Sequence, residues 1–523
     1  MRKLKIKNIK LSLNDLLGEE YIESVCKAKS FIENKNIEEF YEIANEKIDF
    51  FPHKFSKRLD ELLDAVGKKV SDNLVNSSSG ATTNAFAKAT KIEMSPLSSL
   101  GFIRIGENGK AYLTAKSEHY HTPLGHGFPG YKLIENAKKL GIPNATHNNT
   151  RGYITRLLET ELIRVANGIK RNEKKALRQI LESSDPKIIN RVINLETGSL
   201  AVEAALKMML ARFYRLDLSF EKPKYYDKIP VFLVLADYEG GKAANYHGTT
   251  ILTQMLRGMW PDLYSDIEAN NIFNIQQVRI NDLDDFIKKT DKYDNGKFKI
   301  AGFFHEIVLM NYGGIKLEKN YLLEVYKICE QRDIPILTDE IQSCLWNPEL
   351  FMYKEYGLNP DFVSIGKGFP GGEYAASKLL TNANMDNLNL FGALVTNGQE
   401  ELASLVYLIT MRFAEENEHY VRELGNYYEN NVRKLSKKYC SILTKVGGSR
   451  HLTTLFFNSK QNAHEFVSFL NKKCIDISIQ TYKQNSSPSA LTKIPVISSY
   501  KMVDFIIQNM NKALEILSMK KEN

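Results

Sequence analysis

A lysine and an aspartate, each just past a short apolar run, are the side chains here whose types and spacing most directly suggest chemistry. Ile334 to Leu337 ends in Thr338, Asp339 and Glu340, and Phe362 to Ile365 ends in Gly366, Lys367 and Gly368. A lysine amine forms Schiff bases with carbonyls, and its pKa falls readily on desolvation. Glycines on both sides allow a cofactor to approach closely and the strand to exit sharply. Alone, such a turn reads as an ordinary surface lysine. With Asp339 nearby it points to pyridoxal phosphate, which needs a lysine for its aldehyde and a carboxylate to keep its pyridine nitrogen protonated.

That cofactor also needs a phosphate cradle and a stacking ring. Thr197-Gly198-Ser199 lies between an apolar run, Val192 to Leu195, and a helical pattern, Leu200 to Phe213. Backbone amides and hydroxyls at a helix N-terminus would face an anion there, and the plain alternative is N-capping by Ser199. Tyr246, in Tyr246-His247-Gly248-Thr249-Thr250, offers a ring for a flat heterocycle or an ordinary core residue. Gly240-Gly241-Lys242-Ala243 lacks the glycine spacing and the following Ser or Thr of a P-loop.

The elements that must position these groups follow from periodicity. Short apolar runs read as strands and alternate with helical patterns such as Tyr321 to Arg332, which predicts an α/β unit with a mostly parallel sheet. The chain between Asp339 and Lys367 has room for one crossover, so their strands are expected to be parallel neighbours with both residues at carboxyl ends. Glu20 to about Leu74 reads as helical, broken at Pro52, and Asn76 to Gly80 as a flexible boundary. Phe102 to Ile105 and Ala111 to Leu113 flank Glu107-Asn108-Gly109 as a hairpin. The expected units are a helical extension and linker over residues 1–95, the first part of a small domain over 96–165, a large α/β domain over 166–395, and helices with a small α+β domain over 396–523.

Composition excludes several classes of protein. With 43% hydrophobic and 25% charged residues among 523, the chain can bury a large core and is not globally disordered. A net charge of +8 without a basic, aromatic-interleaved stripe argues against nucleic acid. Five scattered cysteines without CxxC spacing argue against a disulfide frame or a metal site. Met1-Arg2-Lys3 opens no continuous apolar leader, and no uninterrupted run is long enough to span a membrane, so a cytoplasmic location is expected.

In their order and spacing these motifs resemble class III pyridoxal-phosphate aminotransferases, the ornithine, acetylornithine, 4-aminobutyrate and omega-amino-acid group. The likeness lies in Thr197 to Lys207, in Tyr246-His247-Gly248, in Glu306 ahead of Gly313-Gly314, in Asp339-Glu340-Ile341-Gln342, in Pro360 to Gly368 and in Thr396. The resemblance implies a fold-type-I homodimer with its active site at the subunit interface. It implies pyridoxal 5'-phosphate held by Lys367 and a reaction moving an amino group between an amine or amino acid and a 2-oxo acid. Lys367 would be anchor and general base. Asp339 would hold the pyridinium, Gln342 the ring hydroxyl and Tyr246 the ring face. Gly198, Ser199 and a partner chain's Thr396 would hold the phosphate. Racemisation, epimerisation or aminomutation on the same scaffold is the alternative, and a non-catalytic derivative a further one.

The departures from the family concern the substrate. Glu306 is followed by Ile307 in place of proline, and Gln342 by Ser343-Cys344-Leu345-Trp346 in place of a Gly-Arg turn. Leu491 to Val496 carries no arginine for a substrate carboxylate. Glu306 and Trp346 are therefore the candidate substrate residues, while Lys493 is either a stand-in for that arginine or an exposed lysine.

Overall fold

The computed structural model describes residues 4–116, 121–236, 244–481, 483 and 486–522; Met1 to Lys3 and Gly240 to Ala243 lie outside them. Strands buried on both faces read as continuous apolar runs, and such strands form the middle of a seven-stranded central sheet. Its spatial order is Ile189–Leu195, Ser377–Asn382, Phe362–Ile365, Ile336–Asp339, Phe298–His305, Ile229–Ala236, Asn274–Arg279. All neighbours from Phe362–Ile365 onward pair in parallel, and Ser377–Asn382 is antiparallel to both strands beside it. Alternation feeds two cores. Val231, Leu233 and Leu235 pack into one, and Phe232, Val234 and Ala236 into the other.

Asp339 stands opposite Ser364 in the parallel pair, so the aspartate and lysine strands are adjacent, as the spacing predicts. The crossover between them contains only the short helix Met352–Tyr356. Before it, Leu345 and Leu350 adopt left-handed φ values of 67° and 65°, and Leu345 N–H donates to Leu350 C=O at 2.9 Å. Such conformations cost an L-residue about 1–2 kcal/mol each. Glu340 holds this segment in place. Its backbone C=O accepts from Cys344 N–H at 2.9 Å, and its buried carboxylate accepts from Tyr353 N–H at 2.8 Å and from the Ser343 hydroxyl.

The N-terminal extension is helical in part. Helices span Glu19–Glu33, Ile37–Asn45 and His53–Leu62, and Lys10–Leu11 pairs with Ile48–Asp49 as a small sheet that periodicity did not reveal. Helix does not continue to Leu74. The chain leaves it after Ala65 because residues 67 and 68 take up hydrogen bonds with the edge of a strand: Gly67 N–H donates to Ala111 C=O at 2.9 Å and Ala111 N–H to Lys68 C=O at 3.0 Å. The expected hairpin is Ile103–Gly106 with Ala111–Thr114, in a four-stranded sheet completed by Pro96–Leu100 and, in parallel, by Ile475–Asp476 from far along the chain. A second four-stranded sheet is built from Leu443–Gly447, Thr454–Phe457, Ser478–Gln480 and Ser489–Leu491. Among the described residues no helix is long and apolar enough to cross a membrane.

A buried carboxylate joins two helices beside the central sheet. Glu401, 3% exposed, opens the helix Glu401–Glu416 and accepts from Ile154 N–H at 2.9 Å, Thr155 N–H at 3.0 Å and the Thr155 hydroxyl at 2.7 Å in the first turn of Tyr153–Ala166. Glu401→Ala strands these donors in the core and is expected to lower stability by about 3 kcal/mol, read as a reduced urea midpoint. Glu340→Gln carries a pH signature. Burial lifts the Glu340 carboxyl from an ordinary 4.5 to about 7, so the folded protein binds the extra proton and its stability falls as pH rises from about 4.5 to 7. Chemical unfolding across that range is expected to show Glu340→Gln gaining on wild type as pH rises; parallel curves would contradict it.

Candidate functional site

Three neighbouring parallel strands end at the same rim and deliver three ionisable groups. Glu306 follows Phe298–His305, Asp339 ends Ile336–Asp339, and Lys367 follows Phe362–Ile365. Ligands of open parallel sheets bind outside these carboxyl ends. All three line a cavity of about 490 Å³, together with Gly198, Ser199, Tyr246, His247 and Gln342.

Asp339 is fixed from several sides. Its Oδ1 accepts from the Ser364 hydroxyl at 2.9 Å and from Ile341 N–H at 3.1 Å, and its Oδ2 takes His247 Nδ1 at 2.9 Å. A carboxylate only accepts, so His247 Nδ1 carries the proton of this contact, and Asn245 Nδ2 lies 3.5 Å from the other ring nitrogen. Asn245 also donates to Glu306 Oε1 at 2.7 Å. Burial, with Asp339 adding to it, pushes the Glu306 carboxyl well above its ordinary value. Burial lowers the Lys367 amine, against the opposing pull of Glu306 and Asp339. Lys367 holds a left-handed φ of 37°.

The glycines flanking Lys367 serve the protein's own packing as well as any ligand. A Cβ on Gly366 would lie 2.2 Å from Ser377 Oγ, and one on Gly368 2.8 Å from Trp346 Cζ3. Trp346 thus supports the lysine turn from behind. It is buried, its indole N–H donates to Ile494 C=O at 3.1 Å, and it is not among the cavity-lining residues. Lys493 is fully buried, not exposed, with Nζ 3.5 Å from the Trp346 ring centroid, and burial holds its amine well below the ordinary lysine range.

At the phosphate turn, Thr197 caps the helix Gly198–Leu210 by accepting from Leu200 N–H at 3.4 Å. Ser199 is not the cap; its hydroxyl oxygen accepts from Thr249 N–H at 3.0 Å, joining the turn to the Tyr246 segment. Arg257 lies 5.3 Å from the Tyr246 ring centroid. Thr396 is exposed and outside the cavity lining, yet Asn397 N–H next to it donates to Glu196 Oε1, 3.1 Å away on the cavity wall. Sequence reasoning left Asn245, Ser364 and Glu196 unassigned. Ser364 was recoverable as the register partner of Asp339, whereas Asn245 and Glu196 carried no signal in spacing.

The donor and acceptor set fits pyridoxal 5'-phosphate. Gln342 Oε1, on the cavity wall, is buried without a hydrogen-bond partner among the described residues and is available to a ligand hydroxyl. A helix N-terminus able to take a phosphate, a fixed carboxylate and a lysine surround the same volume.

Comparison with known proteins agrees. The family description Aminotransferase class-III matches residues 99–479. The acetylornithine aminotransferase of Aquifex aeolicus is 24% identical over 47% of this chain and 60% of its own length. The adenosylmethionine-8-amino-7-oxononanoate aminotransferase of Staphylococcus aureus is 22% identical over 74% and 88%. The ornithine aminotransferase from Toxoplasma gondii, solved with partial occupancy of PLP at its active site, shares the fold with a TM-score of 0.63 at 16% identity, covering 85% of this chain and 100% of that one. The alignments to the first curated relatives cover 60%, 56% and 50% of those proteins. From the strand-end triad, the phosphate turn and the family match over most of its length, this chain belongs to the class III aminotransferases.

Proposed function

We propose that the chain is a pyridoxal-phosphate-dependent transaminase moving an amino group between an amine or amino acid and a 2-oxo acid. The observation carrying this reading is the convergence of Lys367, Asp339, Gln342 and the Gly198 helix N-terminus on one cavity. Pyridoxal 5'-phosphate, when bound, supplies an aldehyde that joins amines and a ring that draws off electrons. Asp339, its carboxylate held by three donors, would face the ring nitrogen and favour a proton there. Lys367 Nζ would attach the cofactor and serve as the base that moves the substrate's proton; burial favours the neutral amine that this work requires. Gln342 would meet the ring hydroxyl and Tyr246 the ring face. The first amides of Gly198–Leu210 and Ser199 would hold the phosphate.

We further propose a homodimer in which the partner subunit's Thr396 completes the phosphate site, supported by the exposure of Thr396 beside the Glu196 wall. The division of the chain at residues 95, 165 and 395 is retained as a proposal, supported by the central sheet drawing all its strands from residues 189–382. With cofactor, an amine donor and 2-oxoglutarate or pyruvate, the purified protein is expected to form the corresponding amino acid, and Lys367→Ala to lose about 10²–10⁴-fold in rate. Racemisation of an amino acid without transfer, or equal transfer by Lys367→Ala, would contradict the proposal.

A further inference from the structure

Lys378 is a buried ionisable group that the proposed chemistry leaves unused. It is 1% exposed, on the strand Ser377–Asn382, and burial lowers its amine to about 8, so the fold keeps it there against a desolvation penalty. Directly opposite it in the antiparallel pair stands the buried Asn194 of Ile189–Leu195. Opposed residues of such a pair share a face of the sheet, and this one looks toward the helices Tyr153–Ala166 and Glu401–Glu416. Asn194 Nδ2 donates to Glu159 Oε1 at 2.6 Å, and Lys378 Nζ lies 5.7 Å from the Tyr407 ring centroid.

Both side chains also reach the segment that follows Thr396. Lys378 Nζ donates to Gly398 C=O at 3.3 Å, and Asn194 Nδ2 donates to Gln399 Oε1 at 3.1 Å. The backbones fit as closely, since a Cβ on Gly398 would lie 2.4 Å from the Asn194 carbonyl oxygen. Gln399 C=O accepts from the Thr155 hydroxyl at 3.3 Å and from the Thr146 hydroxyl, and Asn397 N–H donates to Glu196 Oε1. Residues 397–399 are thus tied down one after another, while Thr396 just before them stays exposed. The two strands that supply the grip also lead to the cavity: Leu195 runs into Glu196 and the Gly198 turn, and Ser377 lines the same wall.

We propose that Lys378 and Asn194 are positioning residues for the phosphate end of the cofactor, a buried cross-strand pair that fixes Gly398 and Gln399 and so holds Thr396 ready for the partner subunit's site. This rests on the reading of Thr396 as a phosphate ligand across a homodimer and adds what keeps it in place. A hydroxyl offered to a neighbouring subunit binds more tightly when its backbone is already ordered, because ordering a loose loop on binding loses conformational entropy. Here the ordering is done in the core, by the same strand pair that ends at the chain's own phosphate turn.

The test titrates the full-length protein, freed of cofactor, with pyridoxal 5'-phosphate and with pyridoxal, which lacks the phosphate. Visible absorbance of the lysine-bound ligand reports binding, and sedimentation reports the oligomeric state of each variant. Lys378→Met is expected to weaken binding of pyridoxal 5'-phosphate roughly tenfold, and Asn194→Ala by a comparable factor, with pyridoxal binding unchanged and the dimer retained. Equal weakening of both ligands, as general damage to the fold would give, or weakening of neither, overturns the inference. If Lys378→Met does not fold, Asn194→Ala decides by the same comparison. Thr396→Val tests the reading underneath: if that variant shows no phosphate-selective loss, or if the wild type is a monomer, that reading fails and the inference falls with it. A phosphate-selective loss in Thr396→Val that Lys378→Met does not share overturns the inference alone.

Discussion

The carboxylate of Asp339 is the constraint on which the rest of the site depends. A buried ion must be hydrogen-bonded to be tolerated, and this one takes Ser364 from the adjacent strand, Ile341 N–H from its own turn and His247 from the Tyr246 segment. Each bond to a charged acceptor is worth about 1.5–3 kcal/mol. The three together fix the pairing of two parallel strands, the entry of the chain into the Glu340 turn and the position of the Tyr246 segment. Lys367 leaves the strand that carries Ser364, so the geometry holding the acid also places the amine.

Around that point the protein holds ionisable groups in a low-dielectric setting that disfavours their charged forms. Glu306 and Lys367 are shifted in the directions that favour their neutral forms, with burial the largest cause of each. Behind the lysine turn, Trp346 and Lys493 fill the space on which Gly368 rests. The segment that departs from the family pattern thus acts on the lysine through packing, and its two left-handed leucines are tolerated because the Glu340 carboxylate and backbone hold the turn closed.

Much of this was legible in the sequence because strands buried on both faces leave unbroken apolar runs, and functional residues at their ends stand out against them. Asp339, Lys367, the Gly198 turn and the parallel pairing all followed from that pattern. The position of Trp346 did not, since periodicity says nothing about which side of a turn an aromatic fills. For Lys493 the sequence left open a substrate-binding stand-in or an exposed lysine, and neither places it against an indole; its burial beside Trp346 depends on a contact between residues far apart in the chain. The partner of Asn245 was equally hidden, because a hydrogen bond between two loops leaves no periodic trace. The end of the N-terminal helix was misplaced where a tertiary strand edge outcompeted helical propensity.

The central claim is that Lys367, and not one of the other buried lysines near it, is the residue the cofactor joins. Protein loaded with pyridoxal 5'-phosphate, reduced with borohydride, digested and analysed by mass spectrometry reports that site directly. The account predicts a single pyridoxyl-phosphate addition on the peptide containing Lys367. Its absence, or its appearance on Lys116 or Lys493, would contradict the account.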